Sequence, residues 1–268
     1  MSWRLCDADW NHWPDGLDDA SVWAACAEAG FSGVELGVYR AADQLAPERV
    51  ARVGALAARH RLPVAMVLLS LPPKRWPGGA LSSEAAVPAV AAEAVATARV
   101  AAGWGVGTLG LWPGADPPGA PWEAVVAGTA AVAEALRPTG VRLAVEYKPG
   151  TAVADADDAL GLCRAVPGVG VLLDTAHAFA ALEDPAAVVR RAGDLLWHLH
   201  LGDASPGHPE DDLPVGRLHD FAAVVGALAA TGYAGAASLD LYGAVSAGRI
   251  TGVAAARQSR DHLLGCRS

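Results

Sequence analysis

The chain has 268 residues, 53% of them apolar, and a formal net charge of −9. That is enough apolar side chain for one large core, and the acidic balance excludes polyanion binding as the main task, which needs a surplus of Lys and Arg. The N-terminus lacks the charged start and long apolar stretch of a signal peptide, and Cys6, Cys26, Cys163 and Cys266 stand far apart with no Cys-x-x-Cys pair, so free thiols in the cytoplasm are expected.

Short β-like runs alternate with alanine-rich stretches along the whole chain. Residues 3–7 form a weak first strand. A helix follows over 18–29, with Asp18 or Asp19 to cap it and Gly30 behind it. Strand 33–38 precedes helix 47–60, whose Pro47 suits a first turn, and strand 63–69 precedes helix 83–102, with Ser82 or Ser83 as its cap. The weakly polar segment 85–106 is mostly alanine and contains Pro88, Glu93 and Arg99, so it reads as a soluble helix and not as a membrane span. Strands at 107–111, 142–147, 170–174, 196–201 and 236–241 alternate with helices at 122–136, 154–165, 185–192 and 220–231, and a last helix follows Val245. One device occurs twice, as Ala-Gly-Phe-Ser-Gly-Val-Glu-Leu from residue 29 and Thr-Gly-Tyr-Ala-Gly-Ala-Ala-Ser-Leu from residue 231. In each a helix stops at Gly, an aromatic plugs the core, a second Gly turns, and a strand begins.

Repeated β-then-α units imply a parallel sheet, because parallel strands need crossover helices. Eight such units in a chain of this length give an α/β fold, a closed parallel eight-stranded (β/α)8 TIM barrel, as one domain over residues 1–268. An open doubly wound sheet is the alternative, but the Gly-x-Gly-x-x-Gly turn that marks it after the first strand is missing. The Pro- and Gly-rich segments 71–79, 113–121 and 205–214 follow strands and belong on the C-terminal face, where barrels build their sites.

Four polar residues close apolar runs: Glu146 in Leu-Ala-Val-Glu-Tyr-Lys-Pro, Asp174 in Val-Leu-Leu-Asp-Thr-Ala-His, His200 in Trp-His-Leu-His-Leu-Gly-Asp, and Asp240 in Ala-Ser-Leu-Asp-Leu-Tyr. A carboxylate at such a place is costly to bury unpaired, and carboxylates with an imidazole are oxygen and nitrogen ligands for a divalent metal. Asp174 alone could be a helix cap and His200 alone a satisfied core histidine. Together they fall on the fifth to eighth strands, contiguous around half a barrel mouth. Strand alternation turns Lys148 the same way as Glu146, and His200 the same way as His198. Of the tryptophans near presumed top-face loops, Trp10, Trp13, Trp76 and Trp112, the last is placed best for a pocket wall.

Gly-Val-Glu-Leu, Val-Glu-Tyr-Lys-Pro, Leu-Asp-Thr-Ala-His and His-Leu-His-Leu-Gly-Asp, spread over residues 18–242, resemble the xylose-isomerase-like barrel superfamily of sugar isomerases and epimerases, inosose isomerases and dehydratases, hydroxypyruvate isomerases, dehydroshikimate dehydratases and AP-endonuclease-type nucleases. The resemblance implies one divalent ion, Mn2+ first and Mg2+, Co2+ or Zn2+ as alternatives, held by Glu146, Asp174, His200 and Asp240. Asp240 departs from the family's usual Glu and puts its symmetric two-glutamate acid/base pair in doubt. The implied chemistry is isomerisation or epimerisation of a sugar, cyclitol or similar α-hydroxy-carbonyl compound through a cis-enediolate, with Glu146, Asp240, Lys148 and His177 as the catalytic groups. His208, Arg217, Glu35 and Trp112 are the expected substrate contacts, Glu35 chiefly as a group that orients others and not as a metal ligand. The expected partner is a small polyol, with no nucleic acid and no membrane; a homo-oligomer is left open. Elimination from the same enolate makes a lyase the alternative, either a dehydratase or a C-glycoside-cleaving subunit. A drifted barrel with a binding role is a further alternative, and a nuclease would need more histidines and a basic groove.

Overall fold

A computed structural model describes residues 3–266. Eight parallel strands close into a barrel in chain order. They are β1 (Arg4–Ala8), β2 (Val34–Val38), β3 (Val64–Ser70), β4 (Thr108–Trp112), β5 (Arg142–Glu146), β6 (Val169–Asp174), β7 (Leu196–Leu201) and β8 (Ala236–Leu239). Outer helices follow them as α1 (Asp19–Ala29), α2 (Pro47–His60), α3 (Val87–Gly103), α4 (Trp122–Leu136), α5 (Ala156–Ala165), α6 (Pro185–Ala192), α7 (Ala222–Ala230) and α8 (Gly252–Gly265). Closure joins the two ends of the chain: β1 pairs with β8 from Arg4 opposite Ala236 to Asp7 opposite Leu239. The open doubly wound alternative is thereby excluded.

The core sits mainly in the ring between strands and helices, and strand alternation decides what enters it. On β5, Leu143 and Val145 join that outer core, whereas Ala144 joins a small inner plug of Ala8, Trp10, Met66, Leu68 and Leu172. Glu146, two residues on from Ala144, therefore faces the barrel axis. The repeated turn device is present at both places. Gly30 and Gly232 take left-handed backbone, with φ of 78° and 69°, and Phe31 and Tyr233 are buried behind them.

Local ends differ from expectation where side chains are drafted elsewhere. Helix α3 begins at Val87, because the Ser82 amide and hydroxyl both bind Asp116 Oδ1, at 2.7 and 2.6 Å, and neither serine caps the helix. Strand β8 stops at Leu239, which leaves Asp240 just past the ladder. Asp18 caps α1 by accepting from the Ser21 amide, as expected. All four cysteines are free, and among the described residues no helix is long and apolar enough to cross a membrane.

Candidate active site

The ends of β5 to β8 bring Glu146, Asp174, His200 and Asp240 to one place. Glu146 Oε1 lies 3.3 Å from His200 Nδ1, and Asp240 Oδ2 lies 3.8 Å from the same nitrogen. One donor atom each from Glu146, Asp174 and His200 falls within 4.8 Å of the others. Asp174 is both a cap and a member of the cluster. Its Oδ1 accepts from the Ala176 and His177 amides, at 2.7 and 3.4 Å, at the start of the short helix Thr175–Ala180. Its Oδ2 is buried with no hydrogen-bond partner. Burial, reinforced by the charges of Glu146 and Asp240, pushes the Asp174 carboxyl well above the usual range. An orphaned carboxylate oxygen beside a second carboxylate and an imidazole is a donor set that fits a divalent cation.

A buried scaffold fixes His200 from below. Glu35 on β2 bridges two histidines of β7: its Oε1 lies 2.9 Å from His200 Nε2 and its Oε2 lies 2.7 Å from His198 Nε2. With Nε2 donating to Glu35, Nδ1 of His200 is the nitrogen turned toward Glu146, and loss of its proton would free a lone pair there for a cation. Burial disfavours charge on His200, but Glu35 and Glu146 outweigh it and shift the imidazole well upward. Burial likewise opposes ionisation of Glu35, yet the two histidines hold its carboxyl well below the usual range. Glu35 thus touches the cluster through His200, at the floor, and does not line the space above it.

That space is a cavity of about 360 Å³. Trp10, Trp13, Tyr39, Trp112 and Tyr242 supply aromatic walls, and Glu146, Lys148, His177 and Asp240 supply polar groups. His177 Nδ1 contacts the Tyr147 carbonyl at 2.9 Å, which fixes that nitrogen as the N–H and leaves Nε2 as the acceptor. Burial, with the Lys148 charge, pushes the His177 imidazole well below its ordinary range. Lys148 Nζ pairs with Glu210 Oε1 at 2.7 Å and lies 5.3 Å from the Trp112 ring centroid. Burial opposes its charge, but Glu210 outweighs burial and keeps the ammonium protonated through neutral pH.

Besides Glu35, two further expected contacts do not reach this cavity. His208 and Arg217 are exposed, and neither lines it. The loop after β7 folds back on itself. Asp203 pairs with Leu213 in an isolated bridge, and Asp203 Oδ2 accepts from the Leu218 and His219 amides at 2.6 and 3.0 Å. This tether carries Arg217 outward and turns Glu210 and Asp212 in. Asp212 is buried in left-handed backbone, φ 37°, with Oδ2 accepting from the Gly243 amide at 3.0 Å. Burial, then Asp240 and Asp174, pushes its carboxyl well above the usual range. The acidic run Glu210-Asp211-Asp212 was the only signal of these two residues in the sequence. Trp10 was visible as a loop tryptophan, but the bond its indole Nε1 donates to Asp240 Oδ1, at 2.8 Å, was not.

Residues 23–266 match the family model described as xylose isomerase-like TIM barrel. A comparison with curated proteins finds no match. Among solved structures, the chain resembles L-ribulose 3-epimerase with a TM-score of 0.75 at 22% identity, covering 99% of this chain and 96% of that one. D-psicose 3-epimerase from Clostridium cellulolyticum H10, solved with D-tagatose, gives 0.77 at 18% identity over 98% of both chains. The IOLI protein with a bound zinc atom gives 0.79 at 17%, covering 98% and 97%. At these identities the likeness is one of fold.

Proposed function

Because the chain belongs to the xylose isomerase-like TIM barrel family, we propose that it is a divalent-metal-dependent isomerase or epimerase of a sugar, cyclitol or related α-hydroxy-carbonyl compound. One observation carries the reading: donor atoms of Glu146, Asp174 and His200 lie within 4.8 Å of one another, Asp174 Oδ2 has no hydrogen-bond partner, and Glu146 lines the aromatic-walled cavity. The structural relatives, sugar 3-epimerases and a zinc-carrying IOLI protein, support the same chemistry.

Glu146, Asp174 and His200 would hold the cation, with Asp240 as the fourth and shorter partner. When bound, that cation polarises the substrate carbonyl and stabilises the enediolate left by loss of the α-proton. Glu146, at the cavity floor, takes that proton. Lys148, held protonated by Glu210, donates to the substrate oxygen on which charge collects. His177 offers Nε2 as a neutral acceptor for a substrate hydroxyl. Trp112 and the other rings stack on the C–H faces of a polyol and exclude water, and Asp212 replaces His208 and Arg217 as the contact from the loop after β7. Lys148 is the sole cation among the residues lining the cavity, and Glu210 already neutralises it, so the pocket suits an uncharged, unphosphorylated substrate.

A second reading, a lyase, has one observation in its favour. Asp240 Oδ1 is taken by the Trp10 indole at 2.8 Å, so the two carboxylates Glu146 and Asp240 are not equivalent. Elimination needs one base and one acid, Glu146 and Lys148, and not a matched pair. The experiment for both is a panel of ketoses and cyclitol ketones in deuterated water. Deuterium in a product with an unchanged carbon skeleton supports isomerisation or epimerisation, and loss of water supports the lyase. Glu146→Gln should lower turnover by at least about a hundredfold with circular dichroism unchanged. Full activity of metal-free protein would refute the metal-dependent reading.

A further inference from the structure

Asp240 is gripped by a segment from the far end of the chain. The 3-10 turn Asp9–His12 leaves β1 and packs against the end of β8. Asn11, fully buried, brackets Asp240 along the backbone: its Nδ2 donates to the Leu239 carbonyl at 2.9 Å, and its Oδ1 accepts from the Leu241 amide at 2.8 Å. The same Nδ2 donates to Asp7 Oδ1 at 2.9 Å, and Asp7 Oδ2 meets His12 Nε2 at 2.9 Å, so a flipped amide would lose all of its partners. Trp10 packs edge-on against His200, with ring centroids 5.6 Å apart, and its Nε1 donates to Asp240 Oδ1 at 2.8 Å. Oδ2 is thereby the Asp240 oxygen that faces His200 Nδ1, 3.8 Å away.

We infer that Trp10 and Asn11 are positioning residues for a short carboxylate: Asn11 sets the backbone on both sides of residue 240, and Trp10 sets the side-chain rotation, so that Asp240 presents a single oxygen to the Glu146–Asp174–His200 cluster. Aspartate lacks one methylene of glutamate, so it reaches the cluster only from a fixed backbone, and its carboxylate needs a partner on one oxygen to be aimed by the other. Such partners of a ligand are typically worth about 10–100-fold in metal affinity. The inference rests on the cation site proposed above.

The test is titration of Mn2+ into the full chain by calorimetry, for wild type, Trp10→Phe, Asn11→Ala, Asp240→Asn and the Trp10→Phe/Asp240→Asn pair. Thermal unfolding without Mn2+ monitors the fold. Phenylalanine keeps a ring against His200 and removes only the donor. Trp10→Phe should weaken Mn2+ binding about tenfold. The pair should bind no more weakly than Asp240→Asn alone, because the indole acts through that carboxylate. Asn11→Ala should likewise weaken Mn2+ binding. Equal losses from Trp10→Phe in both backgrounds would overturn the inference, as would unchanged affinity in folded Trp10→Phe and Asn11→Ala. Those results leave the functional reading standing, whereas absence of Mn2+ binding by the wild type would overturn that reading and the inference with it.

Discussion

Asp174→Asn should make the metal-free protein more stable while it removes metal binding. Asparagine keeps an Oδ1 for the Ala176 and His177 amides, so the helix start that Asp174 caps is preserved. What changes is Oδ2, a buried oxygen with no partner, which becomes an amide donor in a cluster dominated by the carboxylates of Glu146 and Asp240. Relief of one buried unsatisfied atom is worth about 1–3 kcal/mol. For a chain of this size that raises Tm by about 2–12 °C. The pH dependence has a definite sign. The folded carboxyl titrates well above its unfolded value, so between the two the native state holds more protons and loses stability as pH rises. The advantage of asparagine should therefore be small near pH 4 and larger at pH 7. Excess Mn2+ reverses the order, since binding at about 1,000 times Kd stabilises the wild type by about 4.1 kcal/mol and the variant by far less. Calorimetric unfolding in EDTA and in Mn2+, at both pH values, measures all of this. No gain in Tm at pH 7 without metal, or an equal gain at pH 4, would refute the argument.

Gly128→Ala should lower Tm although alanine is the better helix former, because a Cβ on this face of α4 would lie 2.8 Å from the Leu81 carbonyl carbon and nearer still to its oxygen. Overpacking costs about 1–3 kcal/mol against a propensity gain of about 1; a rise in Tm would contradict it. His12→Gln should change the pH profile of stability. Burial opposes charge on His12, but its bond to Asp7 and the surrounding carboxylates raise the imidazole, so its stabilisation is complete below about pH 6.5 and is lost as pH rises through the folded value. Urea unfolding from pH 5 to 9 should show wild type and variant converging at the alkaline end, and a constant gap would refute the assignment.

The barrel was legible because its signals are local. The apolar run of β5 and the glycine stops after α1 and α7 follow from alternation and backbone freedom within a few residues. The constellation of Glu146, Asp174, His200 and Asp240 was legible for the same reason, since each closes its own strand and the strand order alone makes them neighbours. Ser82 and Ser83 could not be read correctly, because what claims Ser82 is Asp116, in a loop 34 residues away. His208 and Arg217 were misplaced because their loop is shaped by Asp203, a buried carboxylate whose hold on the Leu218 and His219 amides no pattern announces. Trp10 and Asp240 are 230 positions apart, and only closure of the barrel brings them together.

That closure also sets a timetable. β1 leaves the ribosome first, yet one of its two edges has no partner until β8 is made, more than two hundred residues later. At bacterial-to-eukaryotic synthesis rates of about 5–20 residues per second, the edge stays open for roughly ten to fifty seconds. Until then the nascent chain carries an unpaired strand, the bonds of Asn11 to Leu239 and Leu241 cannot form, and the cluster lacks its third carboxylate. Completion of the last strand is thus the moment at which a sticky intermediate becomes both a closed fold and an assembled pocket.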